Sequence, residues 1–404
     1  MTDPANTAQV WTMPGHAKEL ERLRQTCKER LLPDPALLCV NRSEAAALLG
    51  MAPLATRDTV EQAAKALRAW ACQAVVITGG DDADYADTPH ASGWLDLPGL
   101  AAPPSTDTGT VFATSAAAAL ARGFVAIEAI ILAKMARADA LRHGAAADPL
   151  QPRADFAQHS GNLPHFNLPV STTVSGFAAL SNADLGLYAV VDSAAWVERV
   201  VAAGVHTVQL RIKDAERPEQ REHVRQQVRQ SIAAAVAAGA QLFINDHWHI
   251  AIEEGAYGVH LGQEDLHIAD LAAIAKAGLR LGISTHAYWE VCRAWALQPS
   301  YIACGPIHPT QAKAMPWIPQ GNDNLAYWCK LLPTPVVGIA GMDVARTEQA
   351  AQCGVAGVAV ISAITAAASP ETAITQLQQA VQRGKSRPPS AAPLLPKSTL
   401  SPTV

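Results

Sequence analysis

Two carboxylates, Asp246 and Asp265, each stand a few residues beyond a short apolar run, Gln241–Ile244 and Tyr257–Leu261. Beyond neighbouring parallel strands, such a pair would hold Mg2+ against a substrate diphosphate, because Mg2+ takes one or two protein carboxylates and completes its octahedron with phosphate oxygens and water. Comparable positions nearby carry cations. Gln209, Arg211 and Lys213 alternate along Thr207–Ile212 and the residue after it and so face one way, while Leu210 and Ile212 face the other. Lys313 ends a polar loop that follows Tyr301–Cys304. Arg and Lys neutralise phosphate oxygens. Asn245, Ser284 and Thr285 add hydroxyl and amide groups, and Thr310 lies in the same loop as Lys313. At the last two runs, Gly341 lets backbone approach a ligand and Ser362, beside Ile361, adds a donor, which suits a separate monophosphate. One diphosphate and one monophosphate in one site describe a transferase joining two phosphorylated molecules.

Each residue also has a plainer reading. Asn245, Ser284 and Thr285 suit caps, and Arg211 and Lys213 suit structural ion pairs. His247 and His249 read as surface residues and His260 as a satisfied core histidine.

The elements that must position these groups alternate regularly. Strands are expected at Leu187–Val191, Thr207–Ile212, Gln241–Ile244, Tyr257–Leu261, Arg280–Ile283, Tyr301–Cys304, Val336–Ile339 and Gly357–Val360. Helices follow, among them Glu219–Ala238, Ile268–Ala277, Tyr288–Leu297, Val344–Cys353 and Pro370–Val381. The fold class is α/β, a closed (β/α)8 barrel whose active face is the carboxyl ends of the strands. An open doubly wound sheet is the alternative, although no G-x-G-x-x-G follows the first strand.

The chain of 404 residues suits two domains. A hydrophobic fraction of 49% with 17% charged residues describes a soluble protein, and a net charge of -5 without a basic block excludes a nucleic-acid partner. The most apolar stretch, Val111–Met135, is broken by Arg122, Glu128 and Lys134 and reads as buried helix rather than a membrane span. Seven cysteines without a Cys-x-x-Cys pair, and no signal-like amino terminus, point to reduced thiols in a cytoplasm. Ahead of the barrel, helices are expected at Ala17–Leu32, after Asn41, from a Thr59 cap to Ala71, at Phe112–Arg122 and at Val125–Leu141. Strands are expected at Ala36–Val40 and Ala74–Thr78, and Asp81–Asp87 reads as a solvated turn. The boundaries follow as 1–143, a Pro-rich linker 144–183, the barrel 184–383 and a disordered tail 384–404.

Seven motifs carry a resemblance: QLRIK (Gln209–Lys213), FINDHW (Phe243–Trp248), GVHLGQEDL (Gly258–Leu266), LGISTH (Leu281–His286), YIACGPIHPTQAK (Tyr301–Lys313), VVGIAGM (Val336–Met342) and GVAVISAI (Gly357–Ile364). From Leu185 to about Val381 the chain resembles thiamine-phosphate synthase. The resemblance implies condensation of 4-amino-5-hydroxymethyl-2-methylpyrimidine diphosphate with a thiazole phosphate, giving thiamine monophosphate and diphosphate by a Mg2+-dependent dissociative route. It puts pyrimidine-diphosphate contacts on Gln209, Arg211, Lys213, Asn245, Ser284 and Lys313, of which Arg211, Lys213, Ser284 and Lys313 would serve catalysis. Metal ligands fall on Asp246 and Asp265, and thiazole-phosphate contacts on Thr310, Gly341, Ile361 and Ser362. Ile212 replaces a residue often acidic in the family, and Ala312 replaces the second Thr of a T-x-T motif, which implies weaker thiazole-phosphate binding. A thiazole tautomerase and a non-catalytic pathway regulator are the alternatives. Small molecules are the expected partners, with a homo-oligomer or a pathway kinase as possible protein partners.

NRSE (Asn41–Glu44), VVITGG (Val75–Gly80) and DTGT (Asp107–Thr110) leading to ALARG (Ala119–Gly123) resemble the carboxyl-terminal half of hydroxymethylpyrimidine (phosphate) kinases of the ribokinase-like fold. Thr110 matches the position of the family's catalytic Cys or Asp, and Asp107 replaces its first Gly. Threonine is a poor base, so this implies an inactive half-kinase over about residues 8–142.

Overall fold

The computed structural model describes residues 10–11, 36–70, 72–79, 83–97, 108–143, 156, 159–166, 176–213, 218–309 and 317–401. The expected helix Ala17–Leu32 lies outside them. The chain divides into two compact units, 1–169 with 400–404, and 170–399.

The first unit is a six-stranded sheet in the order β1 (Val10–Trp11), β2 (Leu37–Asn41), β3 (Val75–Thr78), β4 (Ala83–Asp87), β5 (Ser92–Asp96) and β6 (His165–Phe166). β1 to β3 pair in parallel, and β3 to β6 antiparallel. Helix Arg42–Leu49 starts in a reciprocal box: Asn41 accepts from the Glu44 backbone and Glu44 from that of Asn41, satisfying two of the amides that a helix start orphans. Thr56, not the expected Thr59, caps helix Arg57–Arg68, with Thr59 three residues in, reaching back.

Three further readings change. Of the expected acidic turn, Ala83–Asp87 is a strand, and Asp84 is fully buried because the Lys134 ammonium meets it at 2.7 Å and the Gly79 amide donates to it at 3.1 Å. His165–Phe166, expected within a linker, pairs with β5 instead. The expected disordered tail begins inside helix Pro370–Ser386, which takes in its first three residues, and is described to Ser401. Asn324 anchors it by exchanging two hydrogen bonds with the Lys397 backbone, at 2.7 and 2.9 Å.

The second unit is a closed parallel barrel of β7 (Gly186–Val191), β8 (Thr207–Leu210), β9 (Gln241–Asn245), β10 (Gly258–Leu261), β11 (Arg280–Thr285), β12 (Tyr301–Cys304), β13 (Val336–Ile339) and β14 (Gly357–Val360). β14 pairs back onto β7, from Gly357 opposite Gly186 to Val360 opposite Ala189, so the open-sheet alternative fails. β8 ends at Leu210, two residues short of expectation, although the Arg211 amide still reaches the Val191 carbonyl at 2.7 Å. β9 and β11 run on to include Asn245 and Thr285. An interior layer of Tyr188, Phe243 and Tyr301 lies below the mouth, with Phe243 edge-on to Tyr301 at 5.0 Å between centroids. Gly282 lies opposite Tyr301 across β11 and β12, and a methyl group there would fall on the Tyr301 ring. The glycine therefore provides space. No helix among the described residues is long and apolar enough to cross a membrane.

Candidate active site

A cavity of about 600 Å3 opens at the carboxyl ends of the barrel strands. It brings together Gln209 on β8 with Arg211 and Lys213 beyond it, Asn245 at the end of β9 with Asp246 beyond it, Asp265 beyond β10, Ser284 on β11, Gly341 beyond β13, and Ile361 and Ser362 beyond β14. Thr310, Ala312 and Lys313 lie outside the described residues.

Asp246 turns the chain out of β9 in the left-handed region, with φ 61, and its amide donates to the His260 carbonyl at 3.0 Å. Asp265 accepts from the Gly262 amide at 3.0 Å. The carboxyl of Asp246 is pushed up to about 6. Protein packed around it hinders solvation of its charge, Asp265 then repels that charge and shares its proton, and Arg211 and Asn245 only partly offset both. The residue nonetheless opens to solvent at the mouth. Two carboxylates this close, with the charge of Asp246 held at a cost, are a donor set that a divalent cation relieves, and oxygen ligands suit Mg2+. Among the described residues no group of three or more His, Cys, Asp or Glu could hold a metal, so further ligands would come from phosphate and water.

Gly341 has φ 67, and a Cβ there would press on the His308 and Pro309 backbone, so both conformation and space require glycine. Its carbonyl accepts from Arg346 at 2.8 Å.

His260 is the core histidine expected, buried and bonded through both ring nitrogens. Burial, with Arg211 and His286 nearby, holds it down to about 3, so it is neutral. It nevertheless touches the site, because one nitrogen meets the Ser284 hydroxyl at 2.7 Å. His247 is half-buried rather than on the surface, and its Nε2 meets the Ile212 carbonyl at 3.1 Å.

The cavity also holds residues to which the sequence assigned no substrate or metal contact, Gln263 and His286 among them although both follow barrel strands. Gln263 donates to the Ser284 carbonyl at 2.8 Å. His286 bonds Glu290 at 2.9 Å and stacks on Trp317 at 4.1 Å between centroids. Arg293 lies over the Trp289 ring, and burial lowers its guanidinium to about 10. The four-residue spacing from His286 to Glu290 was a visible helical signal; nothing in the sequence placed Trp317 beside them.

A closed eight-stranded barrel whose mouth gathers paired carboxylates and cations belongs among the (β/α)8 enzymes that handle phosphorylated substrates. Residues 187–364 match the family described as thiamine monophosphate synthase. The chain is 50% identical over 195 residues to a thiamine-phosphate synthase of Neisseria meningitidis serogroup A, covering 48% of this chain and 93% of that one. It is 52% identical over 199 residues to that of Yersinia pestis, covering 49% and 91%. Among solved structures it is similar to a thiamine phosphate pyrophosphorylase from Pyrococcus furiosus, at 26% identity and a TM-score of 0.45, covering 50% of this chain and 98% of that one. The chain belongs to the thiamine-phosphate synthase family, and is a transferase. Residues 12–151 match the family described as phosphomethylpyrimidine kinase, so a kinase-like unit precedes the synthase barrel.

Proposed function

We propose that the barrel condenses 4-amino-5-hydroxymethyl-2-methylpyrimidine diphosphate with 4-methyl-5-(2-phosphoethyl)thiazole, releasing diphosphate and forming thiamine monophosphate. The convergence of the described candidate residues on one cavity carries this reading. The methylene C–O bond breaks with its electron pair leaving on the diphosphate, and the thiazole nitrogen lone pair then closes the C–N bond. Neither step needs a nucleophilic side chain or a general base, so the protein contributes charge and position. Arg211, Lys213 and Lys313 would neutralise the departing diphosphate, with Asn245 fixing its orientation and Ser284 contacting the pyrimidine end. Asp246 and Asp265 would hold Mg2+, which when bound adds further charge neutralisation at the leaving group. Gln209 would hold the pyrimidine, and Thr310, Gly341, Ile361 and Ser362 the thiazole phosphate. The carboxylates and cations favour this over a tautomerase, which has no diphosphate to expel.

Asp107 and Thr110 lead us to read the kinase-like unit as inactive. Thr110 lies at the exposed start of helix Thr108–Ala121, where its carbonyl accepts from the Thr114 hydroxyl at 2.7 Å. Weaker thiazole-phosphate binding through Ala312, cytoplasmic residence, and a homo-oligomeric or kinase partner belong to the same proposal and stem from the sequence. The test is formation of thiamine phosphate by the full-length chain from both substrates with Mg2+, and its loss in Asp246→Ala and Asp265→Ala. Near-wild-type turnover by both variants at saturating Mg2+ would overturn the metal assignment.

A further inference from the structure

A chain of hydrogen bonds runs through the barrel interior between two residues of the cavity. The Gln209 amide nitrogen donates to the Tyr188 hydroxyl at 3.3 Å, and Tyr188 meets the Tyr301 hydroxyl at 2.7 Å. Tyr301 meets His260 Nδ1 at 2.7 Å, and His260 Nε2 meets the Ser284 hydroxyl at 2.7 Å. Tyr188, Tyr301, His260 and Gln209 are all buried, and the chain reaches the cavity at Gln209, His260 and Ser284.

Each phenol has one proton, and that fixes the direction. Tyr188 accepts from Gln209, and among the described residues Tyr301 is the acceptor in reach of its own proton, so that proton goes to Tyr301. Tyr301 then gives its proton to His260 Nδ1. A neutral imidazole accepting at Nδ1 carries its hydrogen on Nε2 and donates it to Ser284. The Ser284 hydroxyl proton is left for the cavity, as is the carbonyl oxygen of the Gln209 amide. Reversing any link reverses all of them and rotates that amide. The two ends are therefore coupled, with an acceptor at Gln209 and a donor at Ser284.

We propose that Tyr188, Tyr301 and His260 act as positioning residues that set this polarity, and that the polarity selects a 4-aminopyrimidine over its 4-oxo counterpart. This rests on the substrate reading above. The aminopyrimidine offers amine N–H groups and unprotonated ring nitrogens, matching an acceptor and a donor. The oxo ring offers a carbonyl and a ring N–H, and leaves polar groups of the site facing like groups, the mismatch that gives large discrimination. Acceptance from the amine also strengthens its electron donation into the ring, which favours departure of the diphosphate.

The experiment uses the full-length chain. The 15N spectrum of histidine-labelled protein, with the His260 signal assigned by its loss in His260→Gln, should show the proton on Nε2; a proton on Nδ1 overturns the proposal. Tyr301→Phe, checked for folding by circular dichroism, should lower by at least tenfold the preference for the amino substrate. That preference is read as the inhibition constant of the 4-oxo diphosphate over the KM of the 4-amino diphosphate. Tyr188→Phe, which frees the Gln209 amide, should do the same and stands in if Tyr301→Phe does not fold. Equal weakening of both pyrimidines, with preference unchanged, would reveal a merely structural role and overturn the proposal. Failure of the wild type to make thiamine phosphate would instead defeat the substrate reading and leave the His260 tautomer measurable.

Discussion

Asp246→Asn should stabilise the metal-free protein while abolishing its activity. Asparagine tolerates the left-handed backbone at φ 61 at least as well as aspartate, so the change removes charge with little new strain. The wild-type carboxyl titrates at about 6 instead of 3.8. That difference of about 2 pH units corresponds to about 3 kcal/mol of unfavourable ionisation at neutral pH. Because the carboxylate opens to solvent at the mouth, screening reduces the gain to roughly 1–2 kcal/mol. For a unit this size the melting temperature should rise by about 2–8 °C. The sign follows from proton binding. Between 3.8 and about 6 the folded state binds this proton more tightly than the unfolded state, so the wild-type penalty is full above about 6 and disappears as pH falls toward 3.8. Thermal denaturation in EDTA at pH 7.5 and at pH 5 checks this: the variant should melt higher at pH 7.5, with a smaller gap at pH 5. Added Mg2+ should raise the melting temperature of the wild type alone. A variant that melts below the wild type in EDTA at pH 7.5, or a gap that widens on acidification, would refute the reasoning.

In the Asp246→Asn background, His260 should dominate the acid side. Its pKa is held down to about 3, so the unfolded state takes its proton first, and stability should fall by about 1.4 kcal/mol per pH unit from about 6.5 downward. Urea unfolding at pH 7 and 5.5 measures that slope, which His260→Asn should flatten. Gly282→Ala should cost about 1–3 kcal/mol by overpacking against the Tyr301 ring and should lower kcat/KM, as denaturant melts and initial rates would show. In the first unit, Asp84→Ala breaks the buried ion pair that Asp84 makes with Lys134 at 2.7 Å and should cost about 3–5 kcal/mol, seen as early loss of that unit's unfolding transition.

The barrel was legible because parallel strands buried on both faces read as compact apolar runs, and the polar residues after each one mark the open end. Asn245, Asp246, Ser284 and Gly341 could be placed from that pattern alone. What eluded it depends on contacts between distant segments. Asp84 looked solvated until Lys134, fifty residues away, proved to be its buried partner. The tail looked disordered from its composition, yet the Asn324 amide anchors it. His260 was correctly read as core, but its role at Ser284 depends on Tyr301 reaching it from β12, behind the space that Gly282 leaves.

The central claim is tested most directly by incubating the full-length chain with the pyrimidine diphosphate, the thiazole phosphate and Mg2+ and following thiamine phosphate and diphosphate together. The expected result is equimolar formation of both, stopped by EDTA and by Asp265→Ala. A folded protein that releases no thiamine phosphate at saturating substrates, or one whose rate is indifferent to EDTA, would contradict it.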